Sequence, residues 1–211
     1  MIYEFGIWQT ENVRHSKRMI KKLTSVAVAA LWAVFWNVSA YAADVYNVDA
    51  LHSNVLAKVS YYEHARFTVR FNEFEGSITV DESDPSKGAV NFVVKAGSVD
   101  SGNPGRDEHL RGPDFFNAAE FPEFRFESTS VTPTSSPDEY IVNGNLTVLG
   151  KTRPAQARFF FLGKGKGRRG EERAGGEAVL TFKRSDFGMS HDIPALGDEV
   201  TVTVSVTGVK Q

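Results

Sequence analysis

From Val45 to the C-terminus the sequence predicts an all-β chain of about eight strands, mostly antiparallel, arranged as an up-and-down barrel or a sandwich. Three observations carry this reading. The dominant hydrophobic period is two, turn signals recur between the alternating stretches, and helical periodicity is nearly absent. Composition agrees, since 211 residues with 41% hydrophobic and 24% charged side chains suit one globular domain with a sizeable core. The 18 Gly and the absence of Cys exclude collagen-like and disulfide-stapled designs.

Residues 1–42 read differently from the rest. Arg14, Lys17, Arg18, Lys21 and Lys22 form a basic cluster, and an apolar run follows from Leu23 to Val38. Ser39-Ala40-Tyr41-Ala42 then supplies small residues at the −3 and −1 positions of a cleavage site before Ala43. That order marks a secretory signal peptide, and the run falls short of the ~20 residues a stable membrane span needs. Met19 directly precedes Ile20-Lys21-Lys22, where a compact signal would begin, so residues 1–18 read as an upstream extension of the frame. Cleavage leaves a domain of residues 43–211 with 19 basic and 24 acidic residues, a net charge of −5. All three Trp, at positions 8, 32 and 36, leave with the signal. Such a charge gives no reason to expect a nucleic-acid partner, and no other apolar stretch approaches spanning length.

Within the domain, Phe67, Val69 and Phe71 share one parity, whereas Phe74, Gly76, Ile78 and Val80 share the other. One strand keeps both sets on one face only by gaining or losing a residue, so a bulge or sharp bend is expected at Asn72-Glu73. Further strands read at Val90-Phe92-Val94, Phe124-Phe126, Val142-Gly144-Leu146-Val148, Ala157-Phe159-Phe161 and Ala178-Leu180-Phe182. The last strand alternates Val200, Val202, Val204 and Val206 with hydroxyl residues. Turns are signalled at Asp84-Pro85-Ser86-Lys87-Gly88, Ser135-Ser136-Pro137-Asp138 and Leu149-Gly150-Lys151. One break interrupts the strands: between Asn103 and Phe121 one or two short helical turns are expected, with Pro104 and Pro113 suited to helix starts. Residues 163–176 read as a polar, Gly-punctuated, mobile hairpin loop, without the Gly-Lys-Ser/Thr of a phosphate-binding loop.

Candidate chemistry is sparse. Four His fall in the domain, at 52, 64, 109 and 191, and no pair has zinc-ligand spacing. His109 beside Asp107 and Glu108 invites an acid/base role, but Arg106 and Asp107 as helix-capping and pairing groups explain the same residues more simply. No Gly-x-Ser-x-Gly elbow is present. The aromatic content says more: 14 Phe fall in the domain. They either fill a core between sheets or line a greasy lumen, and each fully buried Phe contributes about 2–3 kcal/mol.

Several blocks resemble the YceI-like proteins. The most specific is Arg106-Asp107-Glu108-His109-Leu110-Arg111-Gly112-Pro113-Asp114-Phe115-Phe116. Tyr46-Asn47-Val48-Asp49 with His52-Ser53, Arg70 to Gly76, Ser98-Val99-Asp100, Phe121 to Phe126, Gly144 to Thr152, Asp186-Phe187-Gly188-Met189 and Leu196 to Val200 add to it, in order, from Tyr46 to Val209. The resemblance implies an eight-stranded antiparallel lipocalin-like barrel with one or two short helices, exported to the bacterial periplasm. It implies carriage or sequestration of a long isoprenoid or other amphiphilic lipid in the lumen, with no cofactor and no covalent chemistry, and it leaves a homodimer open. The stretch Tyr61 to Phe67 departs from the family by a shortened hairpin, which reshapes one end of the pocket.

Parity nominates Phe67, Val69, Phe71, Val90, Phe92, Phe126, Leu146, Phe159 and Phe182 as lumen-facing ligand-binding residues, with Phe115 and Phe116 as lid or floor. No catalytic or metal-binding residue is assigned. Two rival functions remain: a hydrolase or isomerase using His109 or His64, and a stress or interaction module whose core is filled and whose surface does the work.

Overall fold

The computed structural model describes residues 43–211; the expected export signal and its expected cleavage site, up to Ala42, lie outside the described residues. Eleven strand segments form one antiparallel sheet: β1 (Asp44–Val48), β2 (Asn54–Tyr61), β3 (Ala65–Phe71), β4 (Phe74–Val80), β5 (Ala89–Lys95), β6 (Val99–Asp100), β7 (Glu123–Pro133), β8 (Glu139–Val148), β9 (Lys151–Lys166), β10 (Glu172–Lys183) and β11 (Leu196–Lys210). Six of these segments are the halves of three broken strands, β1/β2, β3/β4 and β5/β6. The result is an eight-stranded meander. It closes because β11 pairs with β2 through its first part (Val204 with Val55) and with β1 through its last (Lys210 with Tyr46).

The expected bend at Asn72-Glu73 is where β3 ends and β4 begins. Skipping two residues turns the even-numbered positions of β4 inward after the odd-numbered ones of β3, so neither apolar set is wasted on solvent. The other two breaks lie beside it: Phe71 pairs with Val55 and with Val99, and Phe74 pairs with Val94. The wall is therefore creased along one line, and Val55, Phe71, Phe74 and Val99 form a buried cluster there. The β1/β2 break is stitched by Ser53, whose hydroxyl accepts from the Thr207 amide at 2.9 Å.

Three inward glycines let aromatic rings lie against the wall. A Cβ on Gly76 would stand 2.8 Å from the Phe92 ring, one on Gly144 2.6 Å from Phe126, and one on Gly176 2.3 Å from Phe159. Each ring covers the bare backbone of the neighbouring strand instead of standing out into the interior.

One end of the barrel is covered by helix α1 (Pro104–Arg111) with the turns that follow it, and by the connection from β10 to β11. Asn103 caps α1, its side chain accepting from the Arg106 amide at 3.0 Å, with Pro104 at the first helical position. Pro113 opens only a turn, because Gly112 already closes the helix on the His109 carbonyl. At the same end the β2–β3 hairpin turns in three residues, Tyr62–His64, with positive φ at Tyr62 and Glu63.

Residues 163–176 differ from their expectation. The β9–β10 ladder runs out to the Lys166–Glu172 pair, leaving only 167–171 as a turn. Gly163 and the shift between Gly175 and Gly176 form a bulge, so the glycines curve the ladder without ending it. Charge pairing holds this end: Lys164 meets Asp44 at 3.7 Å and also Glu82, Arg173 meets Asp49 at 2.7 Å, and Lys210 meets Asp44 and Glu172 at 2.9 Å each.

Candidate functional site

The barrel encloses a cavity of about 220 Å³. Apart from Lys58, Arg125 and Arg184, every residue lining it is apolar. All eleven nominated residues face it: Phe67, Val69 and Phe71 from β3, Val90 and Phe92 from β5, Phe126 from β7, Leu146 from β8, Phe159 from β9, Phe182 from β10, and Phe115 and Phe116 from the turn after α1. The nomination missed much of the wall. Val55, Ala57 and Val59 of β2, Ala178 and Leu180 of β10, and Val200, Val202, Val204 and Val206 of β11 line it too, as do Ile78, Val94, Phe124, Val142, Val148 and Ala157 of the other strands. Their alternation was visible in the sequence, but the period alone does not say which face of the last strand turns inward.

Many lining side chains, among them Phe67, Ala178, Leu180 and Val202, are only half-buried although they point into the barrel. A tightly filled interior would have hidden them. An interaction module with a filled core does not fit this hollow.

Two sets of contacts position the covered end. Leu110 and Phe116 pack against both buried clusters, while Phe115 joins Leu146, Val148, Phe187 and Met189 in the cluster beneath that end. Arg184 is 2% exposed, and its guanidinium donates to the carbonyls of Gly197 (2.9 Å), Met189 (3.1 Å), His191 (2.8 Å) and Leu196 (2.7 Å). Burial pushes this guanidinium down from its ordinary value, and the Asp198 and Asp192 carboxylates oppose the shift. On the helical side, Asp107 accepts from the Ser101 amide at 2.7 Å and hydroxyl at 2.5 Å, and Arg106 also donates to Ser101. Arg106 and Asp107 are thus structural pins, with the helix cap itself supplied by Asn103.

The His residues stand outside the cavity. His52 meets Asp49 at 2.7 Å and His109 meets Asp114 at 3.2 Å, all on the outer surface, and no His is among the cavity-lining residues. Nearer the lumen at the covered end, the Arg106 guanidinium lies 5.0 Å over the Phe67 ring, and the Tyr61 ring packs against Phe67 with centroids 4.7 Å apart. Among the described residues no helix is long and apolar enough to cross a membrane.

Comparison with known proteins agrees with this architecture. Residues 46–208 match the family model described as a YceI-like domain. A UPF0312 protein of Pseudomonas paraeruginosa is 37% identical over 92% of this chain and 100% of its own length. The protein YceI of Salmonella newport is 36% identical over the same shares. Among solved structures, Burkholderia cenocepacia BcnA is similar with a TM-score of 0.69 at 24% identity, covering 76% of this chain and 98% of that one. A polyisoprenoid binding domain from Saccharophagus degradans, implicated in plant cell wall breakdown, is similar with a TM-score of 0.56 at 16% identity, covering 79% and 98%. At these identities the solved structures speak to the fold.

Proposed function

The chain belongs to the YceI-like family, and from that premise and the cavity we propose that it is a binding and carrier protein for an isoprenoid or other amphiphilic lipid. The observation that carries the reading is the apolar cavity of about 220 Å³ inside a closed barrel. Small-molecule sites are mostly apolar, and this lining matches that character. The Saccharophagus degradans domain of the same fold, described as polyisoprenoid binding, supports this ligand class. The eleven nominated residues are the proposed ligand contacts.

Size sets a condition. Typical small-molecule sites run from roughly 300 to 1,000 Å³, so a long chain enters this cavity only if wall side chains rotate aside. Phe116 is the side chain best placed to do so, because it hangs from a turn and not from the ladder and is only half-buried. Native mass spectrometry of the purified protein, followed by organic extraction, tests the assignment. A co-purifying long-chain species is expected, and its absence after expression in a host that makes such lipids would count against carriage.

Export belongs to the same proposal. The protein acts in the periplasm after removal of residues 1–42, with no membrane span retained, as a monomer or homodimer. The intact mass should begin at Ala43, and tryptophan emission should be absent because every Trp lies in the removed segment. Tryptophan fluorescence in the exported protein would refute cleavage there.

A further inference from the structure

Over the covered end of the barrel, on its outer face, the fold brings together two imidazoles and a carboxylate that lie far apart in sequence. His109 Nε2 and Asp114 Oδ2 are 3.2 Å apart, His191 Nδ1 and Asp114 Oδ1 are 3.8 Å apart, and the three ligand atoms all fall within 4.8 Å of one another. We propose that His109, Asp114 and His191 form a binding site for a divalent transition-metal cation, with zinc the preferred occupant.

The chemistry of the donors selects the ion. Two imidazole nitrogens with one carboxylate oxygen suit zinc and its late first-row neighbours, whereas calcium and magnesium take all-oxygen shells and have little use for the imidazoles. Around a tetrahedral zinc with bonds near 2.0–2.1 Å, ligand atoms are spaced by about 3.3 Å. The two spacings to Asp114 bracket that value, and the remaining pair lies within 4.8 Å. All three side chains are about half exposed, at 54%, 51% and 43%, so an ion reaches them from solvent and water can hold the fourth position. His109 binds through Nε2 as its Nδ1–H tautomer, and His191 through Nδ1 as its Nε2–H tautomer.

Pre-organisation distinguishes this group from a chance surface cluster. The Phe115 ring, itself buried, contacts both imidazoles edge-on, with centroids 5.0 Å from His109 and 5.2 Å from His191. The backbone carbonyl of His191 is held by the buried Arg184 at 2.8 Å. Helix α1, which carries His109, is tied down by Arg111 donating to the Gly97 and Val99 carbonyls at 2.8 and 3.0 Å. Both ligand-bearing segments are thus fixed to the barrel independently of any ion. A cation bound here would join the α1 segment to the β10–β11 connection across Phe115, a cavity-lining residue. It acts as a latch on the covered end.

The test uses the full chain, expressed without a polyhistidine tag, stripped with a chelator and titrated with zinc by calorimetry. One zinc per chain is expected. His109→Ala, His191→Ala and Asp114→Asn should each weaken it by at least about tenfold, since disturbing even outer-shell partners usually loses 10–100-fold. His64→Ala, at the same end but outside the cluster, should leave affinity unchanged. Cobalt should give the visible absorption of a four-coordinate ion in the parent protein and lose it in His191→Ala. Hydrogen exchange of residues 104–118 and 188–195 should slow with zinc in the parent only. Absence of saturable uptake, or affinity unchanged from the parent in all three cluster variants, would overturn the site. Uptake without slowed exchange would overturn the latch.

Discussion

Filling the cavity should make the protein more stable and less able to carry a ligand. At ~24 cal/mol per Å³, an empty cavity of 220 Å³ forfeits about 5 kcal/mol relative to a filled interior. Ala178 on β10 lines the cavity and is only half-buried, so its Cβ faces open space. Ala178→Leu adds three carbons, each worth about 0.8 kcal/mol when buried, and fixing the new side chain returns roughly 0.5–1 kcal/mol. The net expectation is a gain of about 1.5 kcal/mol. Enlarging a residue in a well-packed core has the opposite sign, a loss of about 1–3 kcal/mol, so the direction alone decides. Urea denaturation followed by far-ultraviolet circular dichroism measures stability, and organic extraction of the same preparation measures bound lipid. A loss of 1 kcal/mol or more would mean that the interior has no usable space. A gain in stability with undiminished lipid would place the ligand somewhere other than this cavity.

Three other perturbations address the frame around the cavity. Gly176→Ala puts a Cβ 2.3 Å from the Phe159 ring and 2.6 Å from the Phe160 carbonyl oxygen; a thermal melt should show destabilisation in the 1–3 kcal/mol range of overpacked sites (about), and an unchanged melt would show that the wall yields freely. Arg184→Met removes the donor from four backbone carbonyls, and with unpaired buried groups costing about 1–3 kcal/mol each the loss should be at least about 3 kcal/mol, with fast hydrogen exchange confined to 184–197 at first. Asp107 has its carboxyl held below the usual range, by the Ser101 hydroxyl above all, then the Ser101 amide and the nearby Arg111 and Arg106, against the opposing effect of burial. Its contribution is therefore full above the unfolded carboxylate value of about 3.9 and is lost as pH falls through the lower folded value. The difference in urea midpoint between the parent and Asp107→Asn should be widest near neutrality and shrink below about pH 4, and a gap that stays constant to pH 2 would contradict the assignment.

Much of the architecture was readable because strand period and turn chemistry are local. The parity conflict between Phe71 and Phe74 locates the crease from sequence alone, since a one-residue slip flips every side chain. Residues 163–176 misled for a related reason. Glycine lowers strand propensity, yet here it sits where a long ladder must bulge and curve, and cross-strand charge pairs outweigh the local preference. The meeting of His109 with His191 carried no signal at all. Their separation has no motif spacing, and only closure of the barrel brings the β10–β11 connection over the turn after α1.

The hollow itself depends on something that hydrophobic period cannot express. Alternation says which side chains point inward but not how far they reach, and fourteen Phe in one small domain would ordinarily fill such a barrel. Gly76, Gly144 and Gly176 change that outcome, because each leaves a bare stretch of wall on which the neighbouring ring lies flat. The interior then keeps its apolar character while surrendering part of its packing. Stability has to come from elsewhere, and the structure places it at the crease cluster, in the plug around Phe115 and Phe187, and in the Arg184 and Asp107 pins. Lining and supporting residues overlap, since Val55, Phe71, Phe115, Leu146, Val148, Met189 and Arg184 belong to both sets. Ala178 lines the cavity outside both buried clusters, so substitutions there should alter ligand capacity without unfolding the barrel, whereas substitutions at Arg184 should unfold it.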